Sequence, residues 1–142
     1  MNLSKDAIFS KVNQAAKEGV KRFKLTASNS CGKCAKASVF LFRKLKHIRR
    51  KIYMYCSSYG SHAFLVFFVK NKKYVLDITY NQFDLTYEQI VIDEFSSFKK
   101  RLCKHYCFSS SFNIHRTSNL LKIKNLTKEW PIYQRPYIRK NK

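Results

Sequence analysis

The stretch HAFLVFFVKNKKYVLDIT, residues 62–79, decides the fold. Ala63 to Val69 is the longest apolar run, and its length suits a buried strand, far short of the ~20 residues a membrane-spanning helix needs. Lys73 to Thr79, centred on Tyr74, Val75 and Leu76, reads as a second strand, and Asn71-Lys72 between them as a hairpin turn. With that turn, Lys70 pairs with Lys73 and Val66 faces Asp77. His62 then lies four residues further along the strand, so aligning it with Asp77 needs a longer loop or a bulge. Upstream, Lys51 to Cys56 alternates β-branched and aromatic residues with others and reads as a third strand.

Two helices precede these strands. Ser4 to Phe23 is amphipathic: Ser4 is placed to cap it, and Ile8, Val12, Ala15, Ala16 and Val20 recur at helical spacing between lysines. After a polar loop, Leu25 to Ser30, a second helix opens at Gly32 or Lys33 and runs to about Leu45. Its apolar face is Val39, Leu41, Phe42 and Leu45, and small residues near its start allow close packing. Cys34 falls in its first turn, where free N–H groups and the helix dipole favour a thiolate.

Beyond Gln82 the pattern weakens. Thr86 is placed to cap a helical turn, TYEQ. Asp93 to Tyr106 reads as a helix with Phe95, Phe98, Leu102 and Tyr106 on one side. Ile114 to Ile123 suits a strand or a short helix, and Lys128 to Lys142 a basic tail draped on the surface. With 142 residues, 45% hydrophobic content and few Gly or Pro, the chain is expected to be one globular α+β domain spanning 1–142, with helices packed on a small antiparallel sheet.

The formal net charge is +21, unevenly placed. Residues 1–50 hold 13 Lys/Arg and 2 acids, 51–98 hold 4 and 5, and 99–142 hold 12 and 1. Two basic flanks bracket a near-neutral middle, which points to a polyanionic partner: nucleic acid, anionic membrane or acidic protein. No transmembrane segment and no signal peptide are expected. Five cysteines, an odd number without an export signal, read as reduced thiols.

Three residues in the order Cys34, His62, Asp77 carry the chemistry. A thiol needs a base to take its proton, and the base needs a group that fixes its tautomer and orientation. Each has a plainer role open to it: Cys34 as a small buried hydrophobe, His62 as a structural histidine, Asp77 as a cap of the next turn through Thr79. Cys31 is the rival nucleophile.

The segments GKCAKASVFL (32–41), SHAFLVFF (61–68) and YVLDITYNQF (74–83) resemble the Cys helix, the His strand and the D-x-T-x-x-Q-F segment of small papain-fold bacterial toxins and effectors, within the wider papain/transglutaminase group. The resemblance covers roughly Ser30 to Phe83. It implies a papain-like layout, with Cys34 as nucleophile, His62 as base and Asp77 as orienter. The implied reaction is thiol attack on an amide, as deamidase, protease or transamidase, in a target-cell protein. Where many relatives carry Trp or another bulky residue after the Cys or His, this chain has Ala35 and Ala63. The Cys34 N–H and the Asn29 side chain are candidate oxyanion donors, and Gln82 is expected to order the loop after Asp77. No cofactor or metal is expected. A toxin domain of a larger secreted bacterial protein, delivered to the target-cell cytosol and as in contact-dependent inhibition neutralised by an acidic immunity protein, fits this reading.

Three alternatives compete. A tRNA-cleaving toxin on the same scaffold would use the aromatics interleaved with basic residues in KRFKL, RRKIYMY and IYQRPYIRK. A non-enzymatic nucleic-acid-binding module would not need Cys34 at all. A zinc site would use Cys31, Cys34, Cys103 and Cys107, with His105 nearby.

Overall fold

The computed structural model describes residues 3–26, 28–30, 33–47, 52–57, 62–82, 87–105 and 114–117. The sequence-predicted tail at 128–142, the capping role of Thr86 and the position of Cys31 lie outside these residues.

Helix α1 spans Lys5–Arg22. The Ala7 N–H donates to Ser4 Oγ at 3.1 Å, Asp6 lies in the first turn, and Lys21 and Arg22 lie in the last. The helix stops in a Schellman arrangement: the Leu25 N–H reaches the Val20 carbonyl and the Lys24 N–H the Lys21 carbonyl. That turn holds Lys24 at φ 49°, a left-handed conformation that favours glycine. Helix α2 spans Cys34–Leu45 and buries Ala35, Ala37, Ser38, Leu41, Phe42 and Leu45.

The strands are β1 (Ile52–Ser57), β2 (Ala63–Val69), β3 (Lys72–Asp77), β4 (Val91–Glu94) and β5 (Ile114–Thr117). They form one sheet in the order β4-β3-β2-β1-β5, every pairing antiparallel. The chain is thus α+β, as expected. Because side chains alternate along each strand, the sheet has two apolar faces. Ile52, Met54, Leu65, Phe67 and Leu76 pack with α1 and α2. Phe64, Val66, Val75 and Val91 join Phe98 of α3 (Phe95–His105) in a second cluster, where the Phe64 and Phe98 rings meet edge to face at 4.9 Å. Burying a side chain such as Phe98 contributes roughly 1.5–3 kcal/mol.

The hairpin register differs from the sequence expectation. The turn residues are Lys70 and Asn71, with φ 48° and 68°, so Val69 pairs with Lys72 and Val66 with Val75. Positive φ at both central positions is the conformation that matches the strand twist. Cross-strand chemistry selects this register. It stacks Phe67 on Tyr74 at 5.7 Å and sets Lys73 opposite Phe68, whereas the expected register would oppose two lysines and put Val66 against Asp77. Continued by one pair, the observed register places Asp77 opposite Phe64, two residues from His62 and on the same face. No bulge or longer loop is needed.

Two further corrections fall after Gln82. Tyr87 to Gln89 forms bends rather than a helical turn, and Val91–Glu94 is an edge strand, so α3 begins at Phe95 instead of Asp93. No helix among the described residues is long and apolar enough to cross a membrane.

Candidate active site

β2 begins and β3 ends at the same end of the sheet, and the start of β4 lies there too, since Val91 pairs with Asp77. His62 immediately precedes β2, and Asp77 is the last residue of β3. Cys34 is the first residue of α2. All three are buried, with relative exposures of 1% for Cys34, 0% for His62 and 2% for Asp77. Cys34 hydrogen-bonds to the His62 ring. His62 Nε2 lies 2.6 Å from Asp77 Oδ2. The trio singled out in the sequence is therefore one connected chain of hydrogen bonds.

Asp77 is held from behind. Its Oδ1 accepts the Thr79 N–H at 2.8 Å and the Thr79 hydroxyl at 3.2 Å. This Asx-type turn leaves Oδ2 to face the imidazole. Gln82 sits in a 3-10 turn, Tyr80–Gln82, and its Nε2 donates to the Thr79 carbonyl at 3.1 Å and to His62 Nδ1 at 2.9 Å. These contacts tie Gln82 both to the loop after Asp77, where the sequence reading set it, and to the ring of His62.

Electrostatically, burial acts against a charged imidazole. The Asp77 carboxylate and its hydrogen bond, helped by Cys34, outweigh that penalty and raise the His62 pKa above its ordinary value. With Nε2 turned to Asp77, Nδ1 is the ring nitrogen left to take a thiol proton. The backbone N–H of Cys34 belongs to the first turn of α2, where N–H groups lack a carbonyl four residues back in the helix. Such groups suit a developing oxyanion.

Asn29 is placed differently from expectation. Its Oδ1 accepts the Thr26 N–H at 2.8 Å and its Nδ2 donates to the Lys24 carbonyl at 2.9 Å. The side chain folds back onto its own loop, so its place is in shaping the turn between α1 and α2 rather than in stabilising an oxyanion.

A second polar network, not foreseen from the sequence, ties that loop to β3. The Gln89 amide donates to Ser30 Oγ at 3.0 Å and to the Ile78 carbonyl, while its Oε1 accepts Asn81 Nδ2 at 2.9 Å. Ser30 is fully buried, and its hydroxyl donates in turn to the Thr26 carbonyl. Gln89 thus clamps the segment leading into Cys34 to the residue after Asp77. Ser30 and Gln89 lie 59 residues apart, and neither carries a spacing signal.

Among the described residues no group of three or more His, Cys, Asp or Glu is arranged to hold a metal ion. Cys107 and the side chains of Cys103 and His105, needed for the zinc reading, lie outside what is described. No family model, no curated protein and no solved structure matches the chain.

Proposed function

We propose that this chain is a cysteine-dependent acyl-transfer enzyme of papain-like layout, acting on an amide of a target-cell protein as a bacterial toxin or effector domain. The observation that carries the reading is the buried chain Cys34–His62–Asp77, anchored from behind by Thr79. Burying three polar groups together costs stability unless each is satisfied, and here they are aligned in the order an activated thiol requires.

In the reaction, the Cys34 proton passes to His62 Nδ1 as Sγ attacks the amide carbonyl. The C–N bond then breaks, and the departing ammonia or amine takes that proton back from His62. Water attacks the thioester with His62 as base, releasing the acid and restoring the thiol; an acceptor amine in place of water gives transamidation. Asp77 holds the ring and stabilises its charged form. The backbone N–H of Cys34 is the oxyanion donor in this scheme.

Delivery from a larger secreted bacterial protein and neutralisation by an acidic immunity protein fit the charge, because complementary fields speed association. The same charge supports a second reading, an RNA substrate: residues 1–50 alone carry 13 Lys/Arg against 2 acids.

The test is growth of a bacterial host expressing wild type, Cys34→Ala or Cys31→Ala, with total RNA run on a gel. Growth inhibition by wild type and Cys31→Ala but not Cys34→Ala, with intact tRNA, is the expected result. Cys34-dependent tRNA cleavage moves the substrate to RNA. Inhibition by Cys34→Ala equal to wild type overturns the enzyme reading and leaves a basic binding module.

A further inference from the structure

The amide of Gln82 has only one workable orientation. The atom 3.1 Å from the Thr79 carbonyl must be the nitrogen, because an amide oxygen there would face another acceptor. That same nitrogen lies 2.9 Å from His62 Nδ1. An N–H can donate to Nδ1 only when Nδ1 carries a lone pair. In the neutral ring the proton therefore sits on Nε2, in the hydrogen bond to Asp77 Oδ2. Nδ1 is also the nitrogen that must receive the Cys34 proton.

We propose that Gln82 gates the proton transfer from Cys34 to His62. The inference rests on reading Cys34 as the nucleophile and His62 as its base. While the amide donates to Nδ1, it stabilises the neutral ring and opposes transfer of a proton to it. When the thiol proton moves to Nδ1, the Gln82 N–H has to withdraw, since a protonated Nδ1 has no lone pair left to accept it. The charged groups and hydrogen-bonding partners around the ring then act in opposite directions. Asp77 of β3 and Cys34 of α2 favour the imidazolium, and Gln82, seated on the Thr79 carbonyl, favours the neutral form. Gln82 is only partly buried, unlike the trio, so it is the member of the cluster that a substrate can reach. A substrate that draws the amide away releases Nδ1 and creates the ion pair at the moment it is needed. Gln82 is in this account a positioning residue, acting through His62.

The test is ring nitrogen-15 NMR of the intact chain from pH 5 to 11, with His62 assigned by its loss in His62→Gln. Wild type is compared with Gln82→Leu, which removes the donor, and Gln82→Glu, which replaces it by an acceptor of nearly the same shape. The expected order of His62 proton affinity is Gln82→Glu above Gln82→Leu above wild type, with the first step about tenfold, the size of a lost hydrogen bond to the neutral form. A merely structural Gln82 would not reverse sign between donor and acceptor. His62 titrating alike in wild type and Gln82→Glu overturns the gate, and so does a Nδ1-protonated neutral ring in wild type. If Gln82→Leu fails to fold, the Gln82→Glu comparison alone decides. The readout needs no substrate: loss of the Cys34 requirement for growth inhibition would sink the enzyme reading, while the titration order reports on Gln82 by itself.

Discussion

The two ends of the β2–β3 hairpin are built from the same pair of strands and solve opposite problems. At the turn end, Lys70 and Asn71 adopt left-handed conformations, and Lys72 reaches Glu94 at 3.2 Å with its side chain 65% exposed. Charge there is solvated, and such an ion pair contributes little. At the other end, His62 and Asp77 make a 2.6 Å contact with each side chain about 1% exposed. Charge there has no water to fall back on, so every atom needs a protein partner. Asp77 has Thr79 and His62, and His62 has Asp77, Cys34 and Gln82. Apolar residues would fill the same space without that demand. The difference teaches where the sequence carries a cost that packing alone does not require.

Substitutions break the comparison most sharply at the buried end. Asp77→Ala leaves His62 buried without its carboxylate and should cost about 3–5 kcal/mol in urea unfolding, whereas Glu94→Ala at the turn end should cost under about 0.5 kcal/mol. Gln89→Ala, which removes the donor to the Ser30 oxygen and the acceptor of the Asn81 amide, should cost about 1–3 kcal/mol in the same assay. It should also lower growth inhibition, because the loop before Cys34 loses its tie to Ile78.

The pH dependence sharpens the contrast. The folded-state pKa of His62 is raised, so the native chain keeps a proton that the unfolded chain releases. That contribution to stability is complete below the unfolded value of about 6.5 and is lost as pH rises through the folded value. Wild type should therefore lose more stability than His62→Gln when urea midpoints are compared at pH 6 and pH 9, and Gln82→Leu should carry the loss to higher pH. The smallest effects belong to the turns. Asn71→Gly relieves a left-handed residue in the hairpin, and Lys24→Gly does so after α1. Each should raise thermal stability by at most about 1 kcal/mol.

Much of this architecture was legible because it follows from local pattern. The apolar spacing of α1, its Ser4 cap, the continuous run of β2 and the placement of Cys34 at the head of α2 need no tertiary information. The trio was legible for the same reason: each member sits at the end of a readable element. What could not be read depends on contacts across the chain. The hairpin register turns on whether Tyr74 meets Phe67 and Lys73 meets Phe68, which turn propensity alone does not decide. The strand β4 is four residues long and rich in acids, so its pairing with β3 supplies the evidence that its composition lacks. Asn29 looked like a donor near Cys34, yet its amide is used locally, as short polar side chains in turns often are. Gln89 has no sequence signature, because its partners Ser30, Ile78 and Asn81 converge only in the fold.

The central claim is that His62 activates Cys34. Alkylation by iodoacetamide at pH 7, followed by peptide mass spectrometry of all five cysteines, tests it most directly in wild type and His62→Gln. The account predicts that His62→Gln slows modification of Cys34 at least about tenfold, the low end of what a positioned base supplies, while the rates at Cys56, Cys103 and Cys107 stay the same. Equal modification of Cys34 with and without His62 would contradict it and make Cys34 a buried structural thiol.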